Sequence, residues 1–131
     1  MARKVRPVLQ EMLTAIDGIE SALEGKTFAD FQSEWLLRHG IQRGIEIISE
    51  ASRHLPAALL ASRPEIPWEQ VKGIGSVLRH EYHRISDKIV WSVAVERLPS
   101  LKAAVEAMEA SLKDSWSPCV WFGGLSGGPG S

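Results

Sequence analysis

The sequence predicts an all-α protein, an antiparallel helical bundle of about five helices. Three observations point there. Apolar residues recur at steps of three and four through most of the chain. No segment alternates as a strand would or offers a hairpin turn. Prolines at 56, 67 and 99 stand where one periodic segment gives way to the next.

The first segment places Val5, Val8, Leu9, Met12, Ile16, Ile19 and Leu23 on one helical face and closes at Gly25. Thr27 is positioned to cap a second helix, with Asp30 three residues on as a variant of the capping box. This helix is expected to be the longest, about 27 residues and so roughly 40 Å at 1.5 Å per residue. Its apolar stripe is Phe31, Trp35, Leu37, Ile41, Ile45, Ile48 and Leu55, and Pro56 ends it. The stretch "PAALLASRPEIP" holds three prolines in 12 residues, which leaves "AALLAS" room for one or two helical turns. Pro67 opens a third helix, with Trp68, Val71, Gly75, Leu78, Tyr82 and Ile85 in its stripe. Ser86 or Asp87 caps a fourth, "KIVWSVAVERL", and Pro99 opens a last one with Leu101, Val105, Met108 and Leu112 inward.

The whole is read as a helical domain over 1–114 and a tail over 115–131. The tail holds five glycines, four serines and two prolines in 17 residues, the composition of a flexible extension. Trp116, Val120, Trp121 and Phe122 within it suit either docking on a partner or a bland appendage.

Several function classes drop out early. With 15 basic against 16 acidic residues, no global excess advertises nucleic acid, so any RNA contact must come from a local patch or a groove between two copies. One cysteine, Cys119, excludes an internal disulfide and fits the reducing cytoplasm. No run approaches the roughly 20 apolar residues of a membrane span. There is no Walker loop, no dinucleotide fingerprint and no nucleophile elbow, so no cofactor is expected. His80 and His83 have a spacing that permits joint metal ligation. No HExxH, cysteine pair or evident third ligand accompanies them, and no metal is expected.

Two polar clusters remain. On the second helix His39, Arg43, Glu46, Glu50 and Arg53 form a continuous stripe. It is either a solvated face with Glu–Arg pairs one turn apart, or a face whose Arg43 and Glu46 turn toward the third helix and orient its histidines. On the third helix, "GIGSVLRHEYHR" (73–84) places Arg79 and His83 on one face, with Ser76 and His80 on the adjacent one. Ordinary helix surface is one reading. The other is the minimum equipment for RNA cleavage without a metal. A histidine, ordinarily titrating near pH 6.5, moves the proton of the ribose 2′-hydroxyl or of the leaving oxygen, and a guanidinium stabilises the phosphoryl group.

"HEY" and "ISDKIVW", after a helix opened by "PEIPW", resemble the HepT-like group of the HEPN superfamily. "FQSEWLLRHGIQRGIEIISEASRHLP" is similar to that group's long second helix, and the resemblance extends over roughly residues 5 to 112. It implies a small helical protein that forms a homodimer, with a cleft between protomers lined by an R-x4-H-x-Y motif. It further implies a ribonuclease toxin acting on RNA, paired with an MntA-like nucleotidyltransferase antitoxin that silences it by attaching AMP to the motif tyrosine. The motif histidine matches His80 and the tyrosine Tyr82. The arginine does not carry over: Gly75 holds its place, and Ser76 replaces the asparagine that usually follows. Arg79, one turn on and about 40° round the helix, could serve the same phosphate. Alternatively, Gly75 marks a close approach of two helices that narrows the cleft. Three readings follow. They are a toxin with His80 and Arg79 catalytic, Tyr82 modified and Arg43, Glu46, His83 and Ser76 in support; a weak or inactive module that dimerises and binds the nucleotidyltransferase; and a plain helical interaction domain.

Overall fold

The computed structural model describes residues 4–80 and 86–115. All its regular elements are helical: α1 (Val5–Leu23), α2 (Phe28–Ser33), α3 (Trp35–Ser52), α4 (Ala57–Ala61), α5 (Trp68–His80), α6 (Asp87–Ser92) and α7 (Leu98–Ser115), with a π-type turn over Val93–Arg97 joining the last two. The all-α expectation holds. The tail, apart from Ser115, lies outside the described residues, as do Tyr82, His83 and Ile85.

The stripe of α1 is inward as its spacing requires, with Val8, Leu9, Met12 and Ile16 fully buried. Burying each such side chain contributes about 1.5–3 kcal/mol. Gly25, at φ 76°, supplies the left-handed residue that turns the chain out of α1. Thr27 and Asp30 then form a reciprocal capping box: the Asp30 N–H donates to Thr27 Oγ1 at 3.1 Å, and the Thr27 N–H donates to Asp30 Oδ2 at 2.9 Å.

The expected second helix is broken. Glu34 sits between α2 and α3 in an extended conformation, φ −98° and ψ 102°. In one continuous helix Phe31 and Trp35, four residues apart, would lie within about 40° of each other and share a fate. The break separates them: Phe31 is fully buried and Trp35 is 62% exposed. Phe31 enters a ring cluster, 5.6 Å from Trp91 and 6.5 Å from Phe28, which a straight helix does not reach. Trp35 is therefore not a core residue. Main-chain bonding continues across the break, because the Glu34 N–H donates to the Asp30 carbonyl and its own carbonyl accepts from Arg38.

The expected fourth and fifth helices are instead one rod. Pro99 lacks an N–H and its ring crowds the carbonyl four residues back, which usually ends a helix. Here the preceding turn is widened, so that Leu98 donates to the carbonyl of Val93 five residues earlier. The chain then continues through Pro99 as helix.

α3 is the centre of the bundle, packed against α1 on one side and α5 on the other, and α7 packs on α1. Side chains fix the directions. Gln10 meets Glu109 and Lys102 meets Asp17 and Glu20, so α1 and α7 run antiparallel. Ser49 meets Gly75 and Arg53 meets Lys72, so α3 and α5 do too. No helix among the described residues is long and apolar enough to cross a membrane.

The cap of α2 carries a pH signature. The Thr27 N–H donating to Asp30 holds this carboxyl below its ordinary 3.8. A depressed folded-state pKa stabilises the fold above the unfolded value, and that stability is lost as pH falls through the lowered one. Asp30→Ala should therefore lower the melting temperature at pH 7, and its deficit against the parent should shrink below about pH 4.

Candidate active site

Position 75, where the motif arginine is expected, is buried between α5 and α3. A Cβ there would stand 2.7 Å from Ser49 Oγ, 2.8 Å from Ser49 Cβ and 3.6 Å from the Glu46 Cα. No side chain fits without moving a helix. Ser49, itself 1% exposed, uses this closeness. Its Oγ accepts the Gly75 N–H at 3.1 Å and donates to the Lys72 carbonyl at 2.9 Å, and the Arg53 guanidinium donates to the same carbonyl at 2.9 Å. Hydroxyl and guanidinium thus bond directly to the backbone of α5. Of the two explanations for Gly75, the close helix approach is the one found. The polar stripe of α3 is accordingly no mere solvated face, since Glu46 and Arg53 both lie against α5.

Beyond this contact α5 runs one and a half turns further, to Arg79 and His80, and both are exposed. Ser76, one residue past the contact, is half-buried. Arg43 and Glu46 form an ion pair at 3.2 Å, with the Glu46 side chain largely covered and that of Arg43 open to solvent. Among the described residues, no hydrogen bond or ion pair links this pair to Arg79 or His80, and Arg79 has no ion-pair partner. The backbone of Glu46 meets α5 at Gly75, but among the described residues neither head of the pair bonds Arg79 or His80. Among the described residues, no three His, Cys, Asp or Glu side chains are grouped to hold a metal ion.

Sequence reasoning missed one element of this neighbourhood. Trp35 stands at the start of α3 with its ring stacked on His39, centroids 4.1 Å apart and planes at 29°. The signal available was its place one turn before His39 in the polar stripe. It was masked by an equally good fit, one turn after Phe31, to the apolar one. An apolar groove of about 700 Å³ also opens beside the N-terminal part of α5, lined by Ile66, Val71, Ile74, Trp91 and Leu101 among others. Neither Arg79 nor His80 lines it.

The packing at Gly75 has a direct test. Alanine is the better helix former by about 1 kcal/mol, so Gly75→Ala on an open face would stabilise. Against Ser49 it should destabilise instead, by more than about 1 kcal/mol as for other overpacked sites. Ser49→Gly in the same chain should recover part of that loss, giving a favourable coupling in a double-mutant cycle read by denaturant unfolding.

The family model for HepT-like proteins, described as "Ribonuclease HepT-like", matches residues 12–108. The chain is similar to "Probable ribonuclease HepT" of Thermococcus cleftensis, with 31% identity over 82% of this chain and 98% of that protein. It is also similar to "Putative RNase TTE0752" of Caldanaerobacter subterraneus subsp. tengcongensis, with 29% identity over 77% of this chain and 90% of that one. No solved structure gives a significant match. The match runs from within α1 to within α7 and includes both helices of the Gly75 contact. The chain belongs to the HepT-like ribonuclease family.

Proposed function

We propose that the chain is a metal-independent ribonuclease toxin of a bacterial toxin–antitoxin pair, with His80 and Arg79 as its reacting groups. The observation that carries this reading is the adjacency of exposed Arg79 and His80 at the end of α5 in a chain of this family. His80 acts on a proton, either taking it from the ribose 2′-hydroxyl or giving it to the leaving 5′-oxygen. The 2′-oxygen bonds to the adjacent phosphorus as the bond to the 5′-oxygen breaks, leaving a cyclic phosphate and a free 5′-hydroxyl. Arg79 stabilises the charge that builds on the phosphoryl oxygens. Arg43 and Glu46 support the site from α3, and His83 and Ser76 flank it on the third helix of the sequence. Two copies related by a two-fold axis would offer a pair of His80 rings to one cleft, so that one acts as base and the other as acid.

Control falls to Tyr82. AMP on this hydroxyl adds bulk and negative charge where an RNA phosphate must sit, and repels it. The partner that delivers it is an MntA-like nucleotidyltransferase.

A second reading has its own support. Because Ser49 fills the place that a side chain at position 75 would take, the alternative is a weak or inactive module that keeps dimerisation and nucleotidyltransferase binding. The two readings part in one experiment. Purified protein incubated with total RNA in the presence of a chelator should cut it, and His80→Ala should slow cleavage by about 10²–10⁴-fold. Arg79→Ala should cost about 10²–10³-fold. An unmodified parent that leaves RNA intact selects the inactive module. With the cognate nucleotidyltransferase and ATP, intact mass should show an AMP adduct that is absent from Tyr82→Phe, whichever reading holds.

A further inference from the structure

We propose that Trp35, backed by His39, is a stacking platform for an unpaired RNA base on the approach to His80. The inference rests on the ribonuclease reading and adds to it the substrate class, a single strand.

The placement follows from register. Gly75 lies against Ser49 with α3 and α5 antiparallel. From Gly75, His80 is five residues on, about 7.5 Å. From Ser49, Trp35 is fourteen residues back, about 21 Å. Trp35 therefore lies roughly 13 Å beyond the level of His80, in the direction in which α5 points. That span matches about four nucleotides of stacked strand at 3.4 Å each.

The face is the right one. On α3, Trp35, His39, Gln42, Glu46, Ser49 and Arg53 fall within about 80° of one another, and Ser49 and Arg53 bond directly to α5. Along this face burial changes sharply: Ser49 is 1% and Gln42 8% exposed, whereas Trp35 is 62% exposed. Between Ser49 and Trp35 this side of α3 thus passes from covered at Gln42, through half-buried His39, to open at Trp35.

The ring is held ready. The Trp35 carbonyl accepts from His39 Nδ1 at 2.9 Å, and the imidazole stacks on the indole at 4.1 Å. The imidazole braces one indole face while Trp35 stays 62% exposed, so a ring already held in place can take a base, which removes part of the ordering cost of binding. The neighbouring charges suit phosphate: the exposed guanidinium of Arg43 lies two turns along α3, and Arg79 and His80 end α5. Leu36, the other exposed apolar side chain here, leaves the helix about 100° away from Trp35.

The test separates this proposal from the reading beneath it. The His80→Ala chain, unable to cut, is titrated with a fluorescently labelled unpaired oligoribonucleotide and with the same sequence as a duplex. Anisotropy should show tighter binding of the unpaired form. Adding Trp35→Ala should weaken that binding about 5- to 150-fold, while Trp35→Phe, which keeps an aromatic face, should stay within about threefold. Undiminished binding by Trp35→Ala, or no binding by His80→Ala alone, overturns the platform. So does a loss of binding that appears only together with dissociation of a dimer by light scattering, which would make Trp35 a contact between copies. If the parent chain leaves RNA uncut but Trp35→Ala still loses the oligonucleotide, the platform stands and the nuclease reading falls.

Discussion

The contact between Ser49 and Gly75 is the constraint from which the rest of the molecule follows. Two antiparallel helices approach so closely there that a hydroxyl on one bonds the main chain of the other, and only a residue without Cβ permits it. The contact fixes both the separation and the longitudinal register of α3 and α5. Because α3 is also packed against α1, and α1 against α7, a slip at this point would shift every layer of the bundle. Interiors packed at crystal-like density do not absorb such slips gradually.

The same contact explains why position 75 does not hold the arginine that the resemblance leads one to expect. An arginine at position 75 would need the space that Ser49 occupies, and glycine at 75 with serine at 49 makes a tight, fully bonded helix pair in its place. Positive charge on this stretch of α5 begins instead at Arg79, one turn nearer the exposed end. The Arg43–Glu46 pair, anchored where the Glu46 backbone meets α5, keeps a second guanidinium on the facing helix without bonding it to the histidine end. Arg79 and His80 thus stand exposed at the end of a tightly packed helix pair, and the apolar groove nearby is a separate feature.

Much of this was legible from residue order. The stripe of α1, the Thr27–Asp30 capping box, the interruption between Pro56 and Pro67 and the likeness to the family all rest on local spacing, and local spacing is what a sequence displays directly. The two errors share a cause. Nothing at Glu34, neither proline nor glycine, announces a break, which exists because Phe28 and Phe31 turn to meet Trp91 sixty residues away. At Pro99 the local rule predicted a helix start, but a widened turn upstream let one rod continue, held by Leu98, Leu101, Val105 and Met108 in the core.

By itself, then, the sequence determined the fold class, the family, the apolar face of α1 and the capping box that opens α2, because periodicity and motif spacing are properties of neighbours along the chain. Only the tertiary structure decided that Trp35 stands in solvent rather than in the core, and that Gly75 is a packing residue. It alone set Glu46 and Arg53 of the polar stripe of α3 against α5. Each of these depends on which distant side chain fills a given space, and that is settled when helices far apart in sequence compete for one interior.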